Sequence, residues 1–226
     1  MRLTNSGIEK MKSLSMFVGN NNDKLLAALK HKTNNHQVST MQDQTFEKLD
    51  FTQKPLDKGE YENCNFKNCN FSENNLSDFK FLECEFLDCN LSLAQLNGTA
   101  FREVTFKNCK MLGLQFEGCN PFGLAFSFQN CQLNHSSFFQ LNLRKTRFKE
   151  CQLREIEFSE ADLSNASFND CDLSQAIFQN TNLEKADFRS AFNYVLDPEN
   201  NRLKGAKFSL GGISGLLDKY QIKIEQ

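Results

Sequence analysis

Residues 151–190 read CQLREIEFSEADLSNASFNDCDLSQAIFQNTNLEKADFRS, and this stretch decides the fold. A large apolar residue, alternately Leu and Phe, stands at every fifth position, and the residue two places before it is small or apolar. The other three positions of each unit are mostly polar. Neither the two-residue period of a strand nor the 3.6-residue period of a helix explains this spacing. The pattern therefore indicates a repeat with a five-residue unit.

The five-residue spacing extends outward from this stretch, from Phe46 to Phe208, and covers most of the chain. Its phase slips by two residues near Pro121, which indicates a two-residue insertion between Cys119 and Cys131. A unit with two inward and three outward positions cannot bury its apolar side alone, so neighbouring units must stack into a solenoid.

The unit resembles the A-(D/N)-L-x-x motif of the pentapeptide repeat family, as in Ala161-Asp162-Leu163 and Ala186-Asp187-Phe188. The resemblance implies an all-β fold, a right-handed quadrilateral parallel β-helix with four pentapeptides per coil and a short C-terminal helical cap. Residues twenty apart then lie above one another. Steps of twenty residues, and of twenty-two across the insertion, predict an all-Phe core ladder of Phe46, Phe66, Phe86, Phe106, Phe126, Phe148, Phe168, Phe188 and Phe208.

All nine cysteines fall at the small inward position, and six of them share one predicted column. We interpret them as small apolar residues that fit a tight interior slot. Zinc is the alternative, but ligand spacing of the form C-x₂₋₄-C is absent, and a dry column leaves no room for a tetrahedral site. A redox role is a second alternative, and it is disfavoured because buried thiols in apolar surroundings react slowly. No metal or cofactor is predicted.

The composition excludes several classes of protein. The chain has 226 residues, with 23 Phe, 3 Tyr, no Trp and a formal net charge of −2, so no overall basic field favours direct nucleic-acid binding. No apolar run approaches the ~20 residues of a transmembrane helix, and the N-terminus lacks the apolar core of a signal peptide. We expect a cytoplasmic protein with no membrane association.

The sequence also gives no sign of an enzyme. Its three histidines are His31, His36 and His135, and the first two lie outside the repeat. The run of residues 211–215, GGISG, lacks the spacing of a nucleophile elbow and is interpreted as the start of the C-terminal helix. A solenoid filled with side chains offers no cavity, so we predict no catalytic residues.

The repeat divides the chain into three parts. Residues 1–40 form a loosely ordered or partly helical extension with six basic and two acidic side chains, which is either a partner-binding tail or dispensable. Residues 41–208 form the β-helix, and 209–226 form a cap, with a helix from Ser209 to Leu217 and a short terminal strand. The cap is similar to the end of Qnr-type members of the family, which implies a homodimer through Leu216, Leu217, Ile222 and Ile224.

The same resemblance implies a function. Qnr-type members protect type II topoisomerases from quinolones by mimicking DNA, so the implied partners are DNA gyrase and topoisomerase IV. Mimicry requires outward carboxylates in place of phosphates. Those predicted to face the partner are Glu83, Asp88, Glu103, Glu155, Glu160, Asp162, Asp170 and Asp172.

The alternative is a protein-interaction scaffold with a non-topoisomerase partner. Two observations favour it: the predicted columns of carboxylates are interrupted by Lys145 and Lys185, and a basic run occupies residues 144–149. Apolar residues at outward positions would then carry binding, although we expect them on different faces of the solenoid. They are Leu82, Leu87, Leu112, Phe139 and Ile177.

Overall fold

The computed structural model describes residues 39–223, which form a parallel β-solenoid closed by a short helical segment. Its strands are β1 (Ser39–Gln42), β2 (Thr45–Glu47), β3 (Gly59–Glu62), β4 (Asn65–Lys67), β5 (Lys80–Leu82), β6 (Glu85–Leu87), β7 (Ala100–Arg102), β8 (Val104–Lys107), β9 (Phe126–Gln129), β10 (Arg147–Lys149) and β11 (Ser167–Asn169). The first strand begins at Ser39, two residues before the predicted start of the repeat. The rest of the predicted N-terminal extension lies outside the described residues.

The strands form two sheets on two faces of the solenoid. One has the order β1-β3-β5-β7 and the other the order β2-β4-β6-β8-β9-β10-β11, with every pairing parallel. Paired residues lie twenty apart, as in Phe46 with Phe66, or twenty-two apart between β8 and β9. The remaining two faces are joined by single-residue parallel bridges, such as Asn70 with Asn90 and Ser137 with Glu157. Four pentapeptides thus complete each coil, and the fold is the right-handed quadrilateral β-helix.

Stacked phenylalanine rings fill the interior. The ring centroids of Phe46 and Phe66 are 4.8 Å apart with an interplanar angle of 8°, and those of Phe148 and Phe168 are 5.1 Å apart at 1°. Rings on neighbouring faces meet edge to face, as Phe148 does with Phe158. This arrangement suits the charge distribution of aromatic rings, which favours offset and edge-on contacts.

The predicted ladder is wrong at one residue. β8 pairs Phe106 with Phe128, 22 residues on, and these rings stack at 5.4 Å and 10°. Phe126 pairs with Val104 and occupies the small inward position beside the ladder. The predicted ladder placed the two extra residues after position 126. In the structure they lie before it, between Asn120 and Ala125, whose N–H groups both bond to the preceding coil.

The nine cysteines are buried free thiols, and all of them except Cys119 lie within hydrogen-bond distance of carbonyl oxygens. The Cys109 thiol lies 3.3 Å from the carbonyl oxygens of both Phe86 and Lys107. At the equivalent position Thr99 and Ser136 donate hydroxyl bonds of 2.7 and 2.9 Å to carbonyls of the preceding coil. The inward slot therefore suits a small side chain with a donor. Burial raises the pKa of the Cys119 thiol to about 12, so that thiol stays protonated.

The C-terminal cap differs in detail from the prediction. It consists of a 3₁₀ turn (Leu210–Gly212), helix α1 (Ser214–Leu217) and a second 3₁₀ turn (Asp218–Tyr220). The Ser209 hydroxyl accepts no capping hydrogen bond, and Ile222 is not in a strand. Ile224 lies outside the described residues. Within the part of the chain that the structure describes, no helix is long and apolar enough to cross a membrane.

Candidate interaction surfaces

The corners of the solenoid hold most of the carboxylates that were predicted to face a partner. A corner residue stands two places after each central residue and has left-handed backbone, with φ of 53° at Glu83 and 55° at Asp170. This conformation costs a residue with a side chain roughly 1–2 kcal/mol. The cost is offset because corner N–H groups bond to the next coil, as Glu83 does to the Arg102 carbonyl at 2.8 Å. The exposed corner carboxylates in the predicted set are Glu83, Asp88, Glu103, Glu155, Glu160 and Asp170.

These corner carboxylates are spread over all four corners. Glu83 and Glu103 are neighbours on one corner, which continues to Lys145 after the insertion. Asp88 and Asp170 share a second corner, with Asn108, Asn130 and Glu150 between them. Glu155 and Glu160 stand on the third and fourth corners. No corner of residues 39–223 carries an unbroken line of carboxylates.

Several corner side chains are bonded along the solenoid rather than free. The Asn108 amide donates to the Asp88 carboxylate at 2.9 Å, and Gln140 donates to Glu160 at 2.7 Å. Each bond joins residues of successive coils at the same corner. Such ladders hold the carboxylates in fixed positions and leave their other oxygen atoms to solvent or a partner.

The two carboxylates that are not on corners are less accessible. Asp162 is half-buried and accepts bonds from the backbone N–H of Ser164 and the Asn182 amide, both at 3.0 Å. Asp172 is only 5% exposed and lies 2.6 Å from Arg154 Nε. It was predicted to face a partner, but its carboxylate is engaged inside the protein. Burial opposes its ionisation, yet the bonds from Ser174, Asn193 and Arg154 prevail and lower its pKa to about 2.

A second surface lies at the C-terminal cap, where apolar side chains are exposed. Leu210 is 88% exposed, and the others that exceed a third are Phe192, Val195, Ile213, Tyr220 and Ile222. Of the predicted dimer contacts, Leu216 and Leu217 are half-buried, and Leu216 packs against the chain's own core. Ile222, another predicted contact, is exposed, whereas Leu210, the most exposed apolar residue of the cap, was not among the predicted contacts.

The cap is fastened to the last coil by close contacts and ion pairs. Lys219 Nζ lies 2.6 Å from Asp197 and 2.8 Å from Glu199. A Cβ added at Gly215 would come within 2.1 Å of the Tyr194 carbonyl oxygen, so only glycine fits there. The glycine run is thus a site of close approach between cap and coil, rather than only the start of a helix.

A third surface surrounds the insertion. Phe122 stands there with its ring 74% exposed, and the guanidinium of Arg102 lies 5.1 Å from the ring centroid. The predicted basic run contributes Arg144, Lys145 and Arg147, all exposed, on the next coil. The sequence analysis did not single out Phe122. The sequence signal for Phe122 was the interruption of the five-residue spacing at Pro121, because a side chain outside the repeat pattern is not directed into the core.

The described residues show no group of three or more His, Cys, Asp or Glu side chains arranged to bind a metal ion. His135 stands on a corner, with Nδ1 3.3 Å from a Glu155 carboxylate oxygen and both side chains more than half exposed. His31 and His36 lie outside the described part of the chain.

The repeat, its register and its corners define a pentapeptide-repeat solenoid, and the family comparison agrees. The family model described as a pentapeptide repeat region matches residues 59–127 and 115–188, more than half of the chain. The chain belongs to the pentapeptide repeat family. No curated protein matches its sequence.

Solved structures of the same fold resemble this chain at low sequence identity. Full-length QnrB1, described as a plasmid-mediated fluoroquinolone resistance protein, has a TM-score of 0.54 at 18% identity, over 81% of this chain and 100% of that one. HetL, described as involved in heterocyst differentiation regulation in the cyanobacterium Nostoc, has a TM-score of 0.49 at 20% identity. Its match covers 82% of this chain and 93% of HetL. At these identities the likeness concerns the fold alone.

Proposed function

We propose that the chain acts without catalysis, as a binding protein for a type II topoisomerase, with DNA gyrase or topoisomerase IV as the partner. The observation that carries the proposal is the set of corner carboxylates. All six stand on left-handed backbone, and for all of them except Glu103 the N–H is bonded to the next coil, so most of these charges are held before binding. Preorganised groups lose little freedom on association.

The chemistry of the partner follows from the charge of these groups. A topoisomerase binds DNA phosphates through Lys and Arg, and a carboxylate can replace a phosphate in such a contact. Outside residues 1–40 the chain carries 26 acidic and 20 basic side chains, so this part has the sign of charge that DNA has. The likeness of fold to QnrB1, which is described as a fluoroquinolone resistance protein, gives additional support.

A second candidate is a scaffold for a different protein, and one observation favours it. The corner carboxylates do not form continuous lines, and Asp172 is withdrawn into the protein. Exposed apolar residues would then carry binding. Phe139 and Ile177, 37% and 41% exposed, flank the same central column that contains Phe138 and Phe178, contrary to the expectation of separate faces.

Binding of the full-length protein to immobilised gyrase separates the two candidates. We expect Glu83→Gln/Glu103→Gln, which neutralises two successive residues of one corner, to weaken binding about tenfold, the equivalent of ~1.4 kcal/mol. The matched control is Glu117→Gln/Glu184→Gln, which removes the same charge away from corners and should change binding less than threefold. Absence of binding by the unaltered protein to gyrase and to topoisomerase IV would contradict the proposal and favour the scaffold.

A further inference from the structure

The insertion forms a fixed projection rather than a loose loop. Asn120 N–H bonds to the Thr99 carbonyl at 2.8 Å, and Ala125 N–H bonds to the Phe101 carbonyl at 2.9 Å, so both ends are attached to the preceding coil. Between them Leu124 N–H approaches the Pro121 carbonyl at 3.4 Å, and Gly123 has φ of 68°. A turn with glycine in left-handed backbone at its third position is a type II β-turn.

This turn presents Phe122 to solvent at its second position. Its N–H is bonded to the Asn120 side chain at 3.0 Å, which fixes the direction of the residue. The ring is 74% exposed although Arg102 covers one part of it at 5.1 Å. Arg102 Nε is buried and has no hydrogen-bond partner among residues 39–223. A large ring held outward on a rigid turn, in a chain whose other rings mostly form the core, indicates a contact residue.

Arg102 lies against this ring, and three further basic side chains line clefts beside the turn. We call the surface formed by Arg102, Phe122, Arg144, Lys145 and Arg147 the Phe122 patch. A cleft of about 290 Å³ borders Lys145 and Arg147, and a smaller one of about 190 Å³ lies between the turn and Arg144.

Only part of this positive charge is balanced within the protein. Arg144 Nε lies 3.6 Å from Asp162, and Glu103 lines the larger cleft. Within the described residues, no carboxylate forms an ion pair with Arg102, Lys145 or Arg147. These cations are therefore available to anionic groups of a partner.

We propose that the Phe122 patch is a binding surface for an acidic segment of a partner protein that also carries an apolar side chain. The apolar side chain packs on Phe122, while its carboxylates pair with Lys145 and Arg147. The patch has the opposite charge to the corner carboxylates, although Lys145 continues the corner of Glu83 and Glu103, and this proposal does not depend on topoisomerase binding.

A protein segment fits the patch better than a nucleic acid does. On earlier coils, the corner that includes Lys145 carries Glu83 and Glu103. Residues 41–226 also have an excess of acidic side chains, and these charges repel an extended phosphate backbone. A short acidic segment needs only the local cations and gains from burying the exposed ring.

The test is selection of a random 12-residue peptide library displayed on phage, with the full-length protein immobilised. The most enriched peptide is then labelled with fluorescein, and its affinity is measured by anisotropy. We expect enrichment of peptides with several Asp or Glu residues beside an aromatic or aliphatic one. Phe122→Ala should weaken the labelled peptide at least fivefold, and Lys145→Glu/Arg147→Glu should weaken it at least tenfold.

Two controls keep this test specific. Lys185→Glu/Lys204→Glu alters the net charge equally at exposed positions in later coils and should change affinity less than threefold. A fluorescein-labelled 20-base-pair DNA duplex should bind more weakly than the peptide. The proposal would be overturned if acidic peptides are not enriched or if the protein prefers DNA. It would also be overturned if the two double variants have equal effects or if Phe122→Ala has none.

Discussion

A single ladder phenylalanine packs against the rings above and below it in its own column and against rings on a neighbouring face. Phe168 is fully buried, stacks on Phe148 and Phe188, and meets Phe158 and Phe178 edge to face. Its removal would leave a void that the rigid coils above and below cannot close. The aromatic core is therefore most sensitive to substitution in the middle of the ladder.

We predict that Phe168→Ala lowers the free energy of unfolding by about 3–5 kcal/mol. Denaturant titration followed by circular dichroism measures this change. Phe122→Ala is the control, since an exposed ring outside the core should cost less than about 0.5 kcal/mol. Similar losses for the two variants would contradict the assignment of the ladder.

Asp172 gives the protein a pH-dependent contribution to stability. Because hydrogen bonds and Arg154 lower its pKa from 3.8 to about 2, its stabilisation is complete above 3.8 and is lost as the pH falls towards 2. We predict that Asp172→Asn lowers stability by on the order of 2 kcal/mol at pH 7. The difference from the unaltered protein should shrink between pH 4 and pH 2. Denaturant titration at several pH values measures it, and a difference independent of pH would refute this role.

At the scale of elements, the sequence is sufficient to predict the coil but not the point of insertion. The five-residue period fixes which side chains face inward, because any other choice would expose a column of phenylalanines. The insertion could be placed on either side of Phe126, since that residue is as apolar as its neighbour Phe128. Main-chain bonding decides between them, and this bonding has no signature in the sequence.

The cap likewise shows features that the sequence alone did not predict. Its glycines were interpreted as helix-start residues, whereas Gly215 is required by the proximity of Tyr194. Likewise, the inward cysteines were predicted from size, and their bonds to carbonyls became visible only in the structure. Spacing predicts which side a residue faces, and the structure adds what it touches.

We predict that Gly215→Ala detaches the cap, because the added Cβ would clash with main chain that cannot move aside. Hydrogen exchange of residues 210–220 should accelerate at least tenfold, about 1.4 kcal/mol of local stability. Gly211→Ala is the matched control, since its Cβ would meet no atom within 4 Å. Equal protection in both variants would contradict the packing described for the cap.

At the scale of the whole molecule, we predict a homodimer through the cap. Exposed Leu210 and Ile222 provide apolar surface that association would bury. Leu210→Asp/Ile222→Asp should give a monomer in light scattering with an unchanged circular dichroism spectrum, because neither side chain belongs to the core. A chain ending at residue 209 should also be monomeric. A dimer that survives both changes would place the interface elsewhere.

The proposed function also concerns the whole molecule, since no single corner of residues 39–223 carries an unbroken line of carboxylates. The most direct measurement is gyrase-catalysed supercoiling in the presence of ciprofloxacin, with the purified full-length protein titrated into the micromolar range. We predict that the protein restores supercoiling, and that Glu83→Gln/Glu103→Gln restores it less effectively than Glu117→Gln/Glu184→Gln. Supercoiling that stays blocked at every protein concentration would contradict topoisomerase protection.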